Sequence, residues 1–489
     1  MRMARLIRYA TVAIAFTFVG LWLGHSERGR SLTQTAHHAA VGAVARKTDL
    51  SIRTRVLLEN PEIVRALARG GGFGGKMSPA VAQNMFSRDP DAIEDARAEL
   101  EVIEVAPRTW HIRLPIVNAV LFETDAGLVL VDTGMGPAGP AIVDAMRQVS
   151  DSPLHSVIYT HGHVDHAYGT WAIIEAGMQP EIIAHERLPA RTERYIRLRE
   201  SIARYMSQPE EQLPMTRDDF VWPTRTFRDR LELTIGGEQF VLVHHPAETD
   251  DQLYVWVPGR KVLATADYYQ GFLPNAGNGK RVQRYVEEWA AALREMAALE
   301  PQAILPAHGA AIMDPAEIQE VLGVHAEALQ YVVDATIEGL NSGLRKDQVF
   351  QSLELPERLA NHPALGVQYV TARDISKMVI KRYTGWWDDL PSHWTPAPIE
   401  REAATIARLA GGVPALVAEA RRLSGEDVQL ACHLADWAWL AAPDDPSVQQ
   451  LVIDTYLARI IDPRSNTQEI LAYIDAITAA RSRQLAAGT

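Results

Sequence analysis

The pattern of hydrophobic and polar positions divides the chain into segments of different character. Between about residues 101 and 315, apolar residues come in short runs such as "LVLVD" and "SVIYT", which are typical of β-strands. Asp125-Ala126-Gly127 and Gly236-Gly237 separate neighbouring runs and predict tight turns. Single helical segments follow groups of strands twice. This part therefore predicts an α/β fold with two sheets between layers of helices, an αββα sandwich.

From residue 316 to 489 the strand pattern is replaced by apolar residues at i, i+3 and i+4 spacing, as in "VPALVAEARRL". That spacing predicts an all-α domain. Pro443 and Pro446 divide the "LACHLADWAWLA" segment from the next helical segment and predict a helical hairpin. A helical domain without a polar cluster is suited to packing and pairing, and we predict a homodimer.

The first 26 residues have the form of an export signal. Arg2, Arg5 and Arg8 precede an uncharged run at residues 10–24. That run is short for a membrane span, which needs about 20 residues. We therefore predict a signal peptide and an exported protein, periplasmic or secreted. An uncleaved N-terminal membrane anchor is the alternative, because no clear cleavage site follows the run.

Residues 27–100 form a polar N-terminal extension with a glycine-rich break. Gly70, Gly75 and Lys76 have the spacing of a phosphate-binding loop. Met77, however, stands where a Ser or Thr must reach magnesium, and the preceding segment predicts a helix rather than a strand. A flexible loop is the better interpretation.

Composition and charge exclude several classes of function. The 489 residues carry a formal net charge of -13 and no long basic run, which argues against a nucleic-acid partner. The chain has one cysteine, Cys432, so intramolecular disulfides and cysteine-ligated zinc sites are excluded.

The segment "THGHVDHAYG" concentrates possible metal ligands directly after an apolar strand. His161 and His163 alternate, so in an extended segment their side chains point the same way. Asp165 and His166 follow after the chain bends and can face a second point. Histidine and carboxylate side chains at this spacing are typical of a site for two metal ions.

This segment, with "LVLVDTG" before it, resembles the signature of the metallo-β-lactamase superfamily. The resemblance implies three further ligands downstream, each at the end of a strand. Glu248, in "HPAETDDQL", stands where the superfamily often has histidine, Asp267 matches the bridging aspartate, and His308 matches the final histidine. His244 and His245 remain rival candidates to Glu248.

Within the superfamily, the chain is most similar to the alkyl sulfatase group. A glutamate at the position of Glu248 is typical of that group, and the helical region from 316 to 489 resembles its dimerisation domain. Asp267 departs from the group, which usually has glutamate there. The resemblance implies an anion-binding role for four residues that follow the bridging ligand: Asn275, Lys280, Arg281 and Arg284.

The resemblance also implies a division of labour among the ligands. One ion is expected on His161, His163 and Glu248, and the other on Asp165, His166 and His308. Asp267 is expected to bridge them, and Asp132 to orient a ligand histidine. The expected ions are two divalent cations, with Zn²⁺ first, although a glutamate oxygen also suits manganese or iron.

The implied function is hydrolysis of a sulfate ester by a metal-activated water, with Asp165 and Asp267 as catalytic residues. The substrate is expected to be a small anionic ester. The alternatives are a hydrolase of the same fold acting on another ester, a lactone, a phosphoester or a β-lactam, and a non-catalytic exported binding protein.

Overall fold

The computed structural model describes residues 51–69, 81, 84–206 and 208–487. These residues form two compact units. The smaller unit contains residues 51–69 and 395–487, and the larger unit contains the described residues between 81 and 394. The predicted leader at 1–26 and the glycine-rich break at 70–76 lie outside the described residues.

The first sheet has seven strands in the described part of the larger unit, in chain order. They are β1 (Glu101–Ala106), β2 (Thr109–Arg113), β3 (Asn118–Thr124), β4 (Gly127–Val131), β5 (Leu154–Ile158), β6 (Glu181–His185) and β7 (Arg225–Phe227). Strands β1 to β4 are antiparallel, and β4 to β7 are parallel. The carboxyl ends of β4 and β5 therefore lie side by side.

The second sheet has five strands in the described part of the chain. They are β8 (Arg230–Ile235), β9 (Glu238–His244), β10 (Leu253–Val257), β11 (Val262–Ala266) and β12 (Ala303–Pro306). Their spatial order is β12-β11-β10-β9-β8, with β11 and β12 parallel and the other pairs antiparallel.

The described residues of both units form helices of 4 to 27 residues, and the longest, α10 (Pro315–Asn341), lies in the larger unit. They are α1 (Ile52–Glu59), α2 (Pro61–Arg69), α3 (Pro90–Ala98), α4 (Gly139–Val149), α5 (Val164–Ala167), α6 (Thr170–Glu175), α7 (Leu188–Arg197), α8 (Arg199–Met206), α9 (Val286–Ala298), α10 (Pro315–Asn341), α11 (Lys346–Ser352), α12 (Glu357–Ala360), α13 (Ala372–Tyr383), α14 (Ile399–Leu409), α15 (Val413–Leu423), α16 (Val428–Ala441), α17 (Pro446–Ile461) and α18 (Thr467–Ala487).

The two sheets pack face to face through buried apolar side chains. Phe122 of β3 and Phe240 of β9 meet edge to face, with ring centroids 5.5 Å apart. On the outer face of the first sheet, Ile142 of α4 packs in one cluster with strand residues. On the outer face of the second sheet, Trp289 of α9 and Leu322 of α10 do the same. The αββα sandwich predicted from the sequence is confirmed.

The predicted Gly236-Gly237 turn closes the hairpin between β8 and β9, where Ile235 pairs with Glu238. Both glycines have positive φ, 54° and 81°, which suits a two-residue turn. A Cβ on Gly236 would lie 2.3 Å from the backbone nitrogen of Ala126, in the turn between β3 and β4. Turns from the two sheets therefore touch at this end of the sandwich.

The compact units divide the chain at 394–395, whereas we predicted the helical domain to begin at 316. The first helix of the predicted domain, α10, packs on α9 and the second sheet through Ile318, Leu322 and Leu329, which are fully buried. Its apolar face therefore belongs to the core of the larger unit. The helical spacing identifies the helix but not the surface that covers it.

The smaller unit is all-α in its described residues, and Val56 of α1 and Ile63 of α2 contribute to its core. The predicted helical hairpin is present as α16 and α17, on either side of Pro443.

Among the described helices, none alone is long and apolar enough to cross a bilayer. The pair α14 and α15 passes that test only jointly, and it is bent by 84°.

His111 makes the stability of the larger unit depend on pH. It is 1% exposed on β2, its Nε2 lies 3.0 Å from the carbonyl oxygen of Pro306, and its Nδ1 has no hydrogen-bond partner among the described residues. Burial lowers the pKa of His111 to about 4. In the unfolded chain the pKa is about 6.5, so between these values the unfolded state binds more protons and stability falls as the pH falls.

Because of His111, we expect the free energy of unfolding to fall by about 3 kcal/mol as the pH is lowered from about 6.5 to about 4. The measurement is urea unfolding at several pH values with a chelator present, so that metal binding does not contribute. His111→Gln should make this dependence less steep, since glutamine does not titrate; burial also lowers the pKa of His325 to about 4, so part of the slope stays. An equal slope in wild type and variant would contradict the expectation.

Candidate metal centre

The histidine-rich segment begins where β5 ends. His161 and His163 lie in the loop after the strand, and the short helix α5 carries Asp165 and His166. The loop is fixed by Asp132 at the end of β4, whose Oδ1 accepts a hydrogen bond from the backbone N–H of Thr160 at 2.8 Å. Asp132 is 2% exposed and adopts a left-handed φ of 62°.

The first group of ligand atoms belongs to His161, His163, Glu248 and Asp267. One ligand atom from each lies within 4.8 Å of all the others, which is close enough to share one ion. His161 Nε2 lies 2.9 Å from His163 Nδ1 and 3.7 Å from Asp267 Oδ2. Since Glu248 follows β9 and Asp267 follows β11, this group combines residues from both sheets.

The second group belongs to Asp165, His166 and His308, again with ligand atoms within 4.8 Å of one another. Asp165 Oδ2 lies 3.6 Å from the Nε2 atoms of both histidines. Asp267 Oδ1 lies 3.5 Å from His166 Nε2 and 3.3 Å from His308 Nε2. Asp267 therefore faces both groups, which is the geometry expected of a bridging ligand.

Buried polar atoms at the centre fit a pair of cations. His166 is 0% and Asp267 2% exposed, yet His166 Nε2 and Asp267 Oδ1 have no hydrogen-bond partner among the described residues. Buried polar atoms are normally paired, so unpaired ones need a ligand or another explanation. The imidazole and carboxylate donors suit zinc and related divalent ions.

Two histidines are held so that one ring nitrogen remains for a metal. His166 Nδ1 lies 2.8 Å from Asp132 Oδ2, and His308 Nδ1 lies 2.9 Å from the carbonyl oxygen of Ile116. These contacts orient the rings and direct each Nε2 toward Asp165 and Asp267. Asp132 therefore lies beside His166, one of the expected ligands.

The electrostatics of the centre call for positive charge. Although burial opposes ionisation, the carboxylates of Asp267, Asp165 and Asp132 raise the pKa of His166 well above its usual value. Burial opposes ionisation of Asp267 too, but His308 and His166 hold its pKa well below the usual value. The raised pKa values of His166 and His308 favour protons on these two histidines, which offset the carboxylates, whereas burial lowers the pKa of His161 and of His163 well below the usual value. A divalent cation would replace the protons on His166 and His308, so metal binding should release protons.

The predicted anion-binding residues separate into two pairs. Asn275 Nδ2 donates to Glu248 Oε1 at 3.1 Å, and Arg284, only 1% exposed, forms an ion pair with the same carboxylate. Burial lowers the pKa of Arg284 to about 9. Lys280 and Arg281 are half-buried, and the guanidinium of Arg281 lies 4.8 Å from the centroid of the Tyr205 ring.

The rival ligands lie elsewhere, outside both groups found among the described residues. The His244 ring stacks on His185 at a centroid distance of 3.6 Å. His245 Nε2 lies 2.7 Å from Glu295 Oε2 on α9. The structure thus brings Glu248, and neither histidine, to the centre.

Sequence reasoning missed three residues around Glu248 and the histidine loop. Gln270 Nε2 donates to Glu248 Oε2 at 3.1 Å. Asp251 accepts the backbone N–H of Gly162 at 2.8 Å, and Arg191 lies against Asp251. The acidic pair directly after Glu248 in "ETDDQL" could have drawn attention to Asp251. Arg191 and Gln270 carry no local signal, because their partners are distant in sequence.

We expect Glu248→Gln to lower the metal affinity of one of the two sites. The loss should exceed the one that follows removal of an outer hydrogen-bond partner of a ligand, which is about 10–100-fold. The amide of the variant lacks the charge of the carboxylate. His245→Ala should bind both ions as the wild type does. Metal titration of chelator-treated protein by calorimetry measures both effects. Loss of an ion in His245→Ala but not in Glu248→Gln would make the histidine the ligand.

Two family models match the chain in succession. The Metallo-beta-lactamase superfamily model matches residues 112–308, and the Alkyl sulfatase dimerisation model matches residues 345–476. The first match contains all the residues of the two ligand groups.

Individual relatives agree with these matches. The chain is 28% identical over 371 residues to a linear primary-alkylsulfatase of Pseudomonas sp., spanning 71% of this chain and 69% of the relative. It is 22% identical over 353 residues to an alkyl/aryl-sulfatase of Saccharomyces cerevisiae, spanning 65% of this chain and 54% of that protein.

A solved structure shows the same fold. It is the stereoselective inverting sec-alkylsulfatase Pisa1 from Pseudomonas sp., with a TM-score of 0.69, 19% identity, and coverage of 82% of this chain and 70% of that one. The chain thus carries a metallo-β-lactamase domain, matched at residues 112–308, followed by an alkyl sulfatase dimerisation domain, matched at residues 345–476.

Proposed function

We propose that the protein is a dinuclear-metal hydrolase that cleaves sulfate esters of aliphatic alcohols. The observation that carries the proposal is the position of Asp267, which faces two separate groups of histidine and carboxylate ligands. The names of the similar proteins, alkylsulfatases from Pseudomonas sp. and yeast, support the choice of a sulfate ester.

In this proposal His161, His163 and Glu248 hold one ion, Asp165, His166 and His308 hold the other, and Asp267 serves both. Two divalent cations, Zn²⁺ first, would supply an activated water and positive charge for the leaving oxygen. Asp165 is the least buried of the carboxylates, with its side chain 17% exposed, so in addition to holding an ion its carboxylate could orient the incoming water.

Arg284 and Asn275 are proposed to bind the sulfate group. Arg284 is buried with a lowered pKa, and its Nε has no hydrogen-bond partner among the described residues. A buried guanidinium with an unused donor suits an anionic oxygen. Hydrolysis would leave an alcohol and inorganic sulfate.

The test is a substrate panel on protein reconstituted with zinc, manganese or iron, with the metal content measured on the same samples. We expect sulfate release from dodecyl sulfate and little turnover of nitrocefin, lactones or phosphate esters. Preferred turnover of a lactone, phosphoester or β-lactam would identify a different hydrolase of the same fold. Two bound ions without turnover of any of these would support a binding protein.

We propose that the protein is exported. The support is the basic start and uncharged run within residues 1–26. Expression in a bacterial host, followed by fractionation and N-terminal sequencing, tests this. A shortened chain in the periplasm or medium indicates a cleaved signal, and an intact chain in the membrane fraction indicates an anchor. An intact chain in the cytoplasm would contradict export.

We also propose a homodimer. The support is the dimerisation-family match at residues 345–476. That range contains Trp386 and Trp394, which are 78% and 65% exposed, with ring centroids 5.8 Å apart. Lys346 Nζ donates to the carbonyl oxygen of Gly385 at 3.1 Å and to that of Trp387, which fixes the loop that carries the pair.

Light scattering at micromolar concentration is expected to give twice the chain mass. The Trp386→Ser, Trp394→Ser double variant should dissociate at concentrations where the wild type does not. Met215→Ser, which removes a 58% exposed side chain outside the matched range, is the control. A monomeric wild type would contradict the proposal.

A further inference from the structure

Asp251 connects the two halves of the first ligand group. It lies three residues after Glu248, in the loop between β9 and β10, and it is 0% exposed. Its Oδ2 accepts the backbone N–H of Gly162 at 2.8 Å. Gly162 is the residue between His161 and His163, so one carboxylate spans from the loop that carries Glu248 to the loop that carries the histidines.

A second hydrogen bond connects the same two segments, close to the bond between Asp251 and Gly162. The backbone N–H of Leu253 donates to the carbonyl oxygen of Thr160 at 2.9 Å. Together the two hydrogen bonds join residues 251 and 253 of one sheet to residues 162 and 160 of the other. They fix the register in which the histidine loop faces Glu248. The hydrogen bond to Asp251 is the one nearer the ligands.

Arg191 holds Asp251 in place. The guanidinium is buried, with Nε 3.6 Å from Asp251 Oδ1 and Nη1 3.1 Å from Asp250 Oδ1. A Cβ on Gly162 would lie 3.1 Å from Arg191 Cδ and 3.2 Å from Asp251 Oδ2, so the loop packs tightly against the pair. The carboxylate of Asp251 is thus held on one side by the guanidinium of Arg191, and on the other side it accepts the hydrogen bond from the backbone of Gly162.

We propose that Asp251 is a positioning residue for the ion assigned to His161, His163 and Glu248. It acts through its hydrogen bond to Gly162, which sets the distance between ligands contributed by different sheets. Asp251 itself touches neither ion. This inference rests on the proposed dinuclear centre, and it predicts that loss of the bond weakens one ion and spares the ion on Asp165, His166 and His308.

The test compares three variants by metal titration of chelator-treated protein and by metal content after dialysis. Asp251→Asn keeps an oxygen that can accept the Gly162 N–H, and should bind both ions within a few-fold of wild type. Asp251→Glu keeps the charge but displaces the oxygen by one methylene. Asp251→Ala removes the acceptor. The last two should lose about 10–100-fold in affinity at one of the two sites.

Asp250→Ala is the matched control, because it removes a carboxylate beside the same arginine. Its side chain is 36% exposed and makes no hydrogen bond to Gly162. It should bind both ions normally. Melting temperatures of the metal-free proteins identify a variant that has failed to fold, and Asp251→Asn and Asp251→Glu remain informative if Asp251→Ala does fail.

Two outcomes would overturn the inference. One is wild-type affinity at both sites in Asp251→Glu and Asp251→Ala. The other is an Asp251→Asn variant that loses as much as Asp251→Ala while Asp251→Glu binds normally, since charge and not the hydrogen bond would then matter. A wild-type protein that binds no metal would contradict the proposed function instead, and the same titration shows this.

Discussion

Asp267→Asn is expected to lower sulfate release by about 10³-fold, because loss of several kcal/mol of metal-derived stabilisation corresponds to such a factor. The asparagine has nearly the same size. It lacks the charge that both ligand groups share, and its NH₂ group would face an imidazole nitrogen or a cation. Since Asp267 lies within 3.7 Å of His161, His166 and His308, both ions should bind more weakly.

The measurements are the turnover rate and the metal content of the same preparation. Asp267→Glu should retain much of the activity, because the alkyl sulfatase group usually has glutamate at this position. Asp334→Asn, an exposed residue on α10, is the control for the amide substitution. Full turnover by Asp267→Asn with two ions bound would exclude Asp267 as a shared ligand.

Arg284→Lys is expected to lower kcat/KM for dodecyl sulfate by about 10²-fold, since a hydrogen bond to a charged group is worth about 1.5–3 kcal/mol. Lysine keeps the positive charge but cannot present the planar fork of donors that matches a sulfate or carboxylate. The site also excludes water, as Arg284 is 1% exposed, so a missing donor cannot be replaced easily.

Steady-state kinetics on alkyl sulfates of several chain lengths tests this expectation. The loss should be similar for every length, because Arg284 is proposed to contact the head group. Arg281→Lys should have a smaller effect, since Arg281 is half-buried against Tyr205. Arg294→Lys on α9 is the control. An unchanged kcat/KM in Arg284→Lys would remove Arg284 from the anion site.

The grouping of the candidate ligands could be predicted in part from local sequence and in part from the resemblance to a known family. His161, His163, Asp165 and His166 follow one strand, and the resemblance places Glu248, Asp267 and His308 after later strands. The carboxyl ends of the parallel pairs β4–β5 and β11–β12 meet by the geometry of the fold, whereas β9, which precedes Glu248, is antiparallel to both of its neighbours. Asp132 could be placed for the same reason, as it ends the strand beside β5.

Contacts between distant segments could not be predicted in this way. The carboxylate of Glu248 is held by Gln270, and the histidine loop by Asp251 and Arg191, through hydrogen bonds and ion pairs that cross between elements. Their sequence neighbours look like ordinary polar loops.

The contact between Gly236 and Ala126 has a consequence at the opposite end of the sandwich. It lies at the start of β4, and Asp132 follows the end of that strand, roughly 17 Å away for five residues at about 3.3 Å each. Each of the two ligand groups takes residues from both layers, so the layers must keep a fixed separation for the groups to form. A methyl group at position 236 would clash with the backbone of Ala126, and relief of the clash would move one layer relative to the other. The geometry of the candidate metal centre at one end of the sandwich therefore depends on the absence of a side chain at Gly236, at the other end.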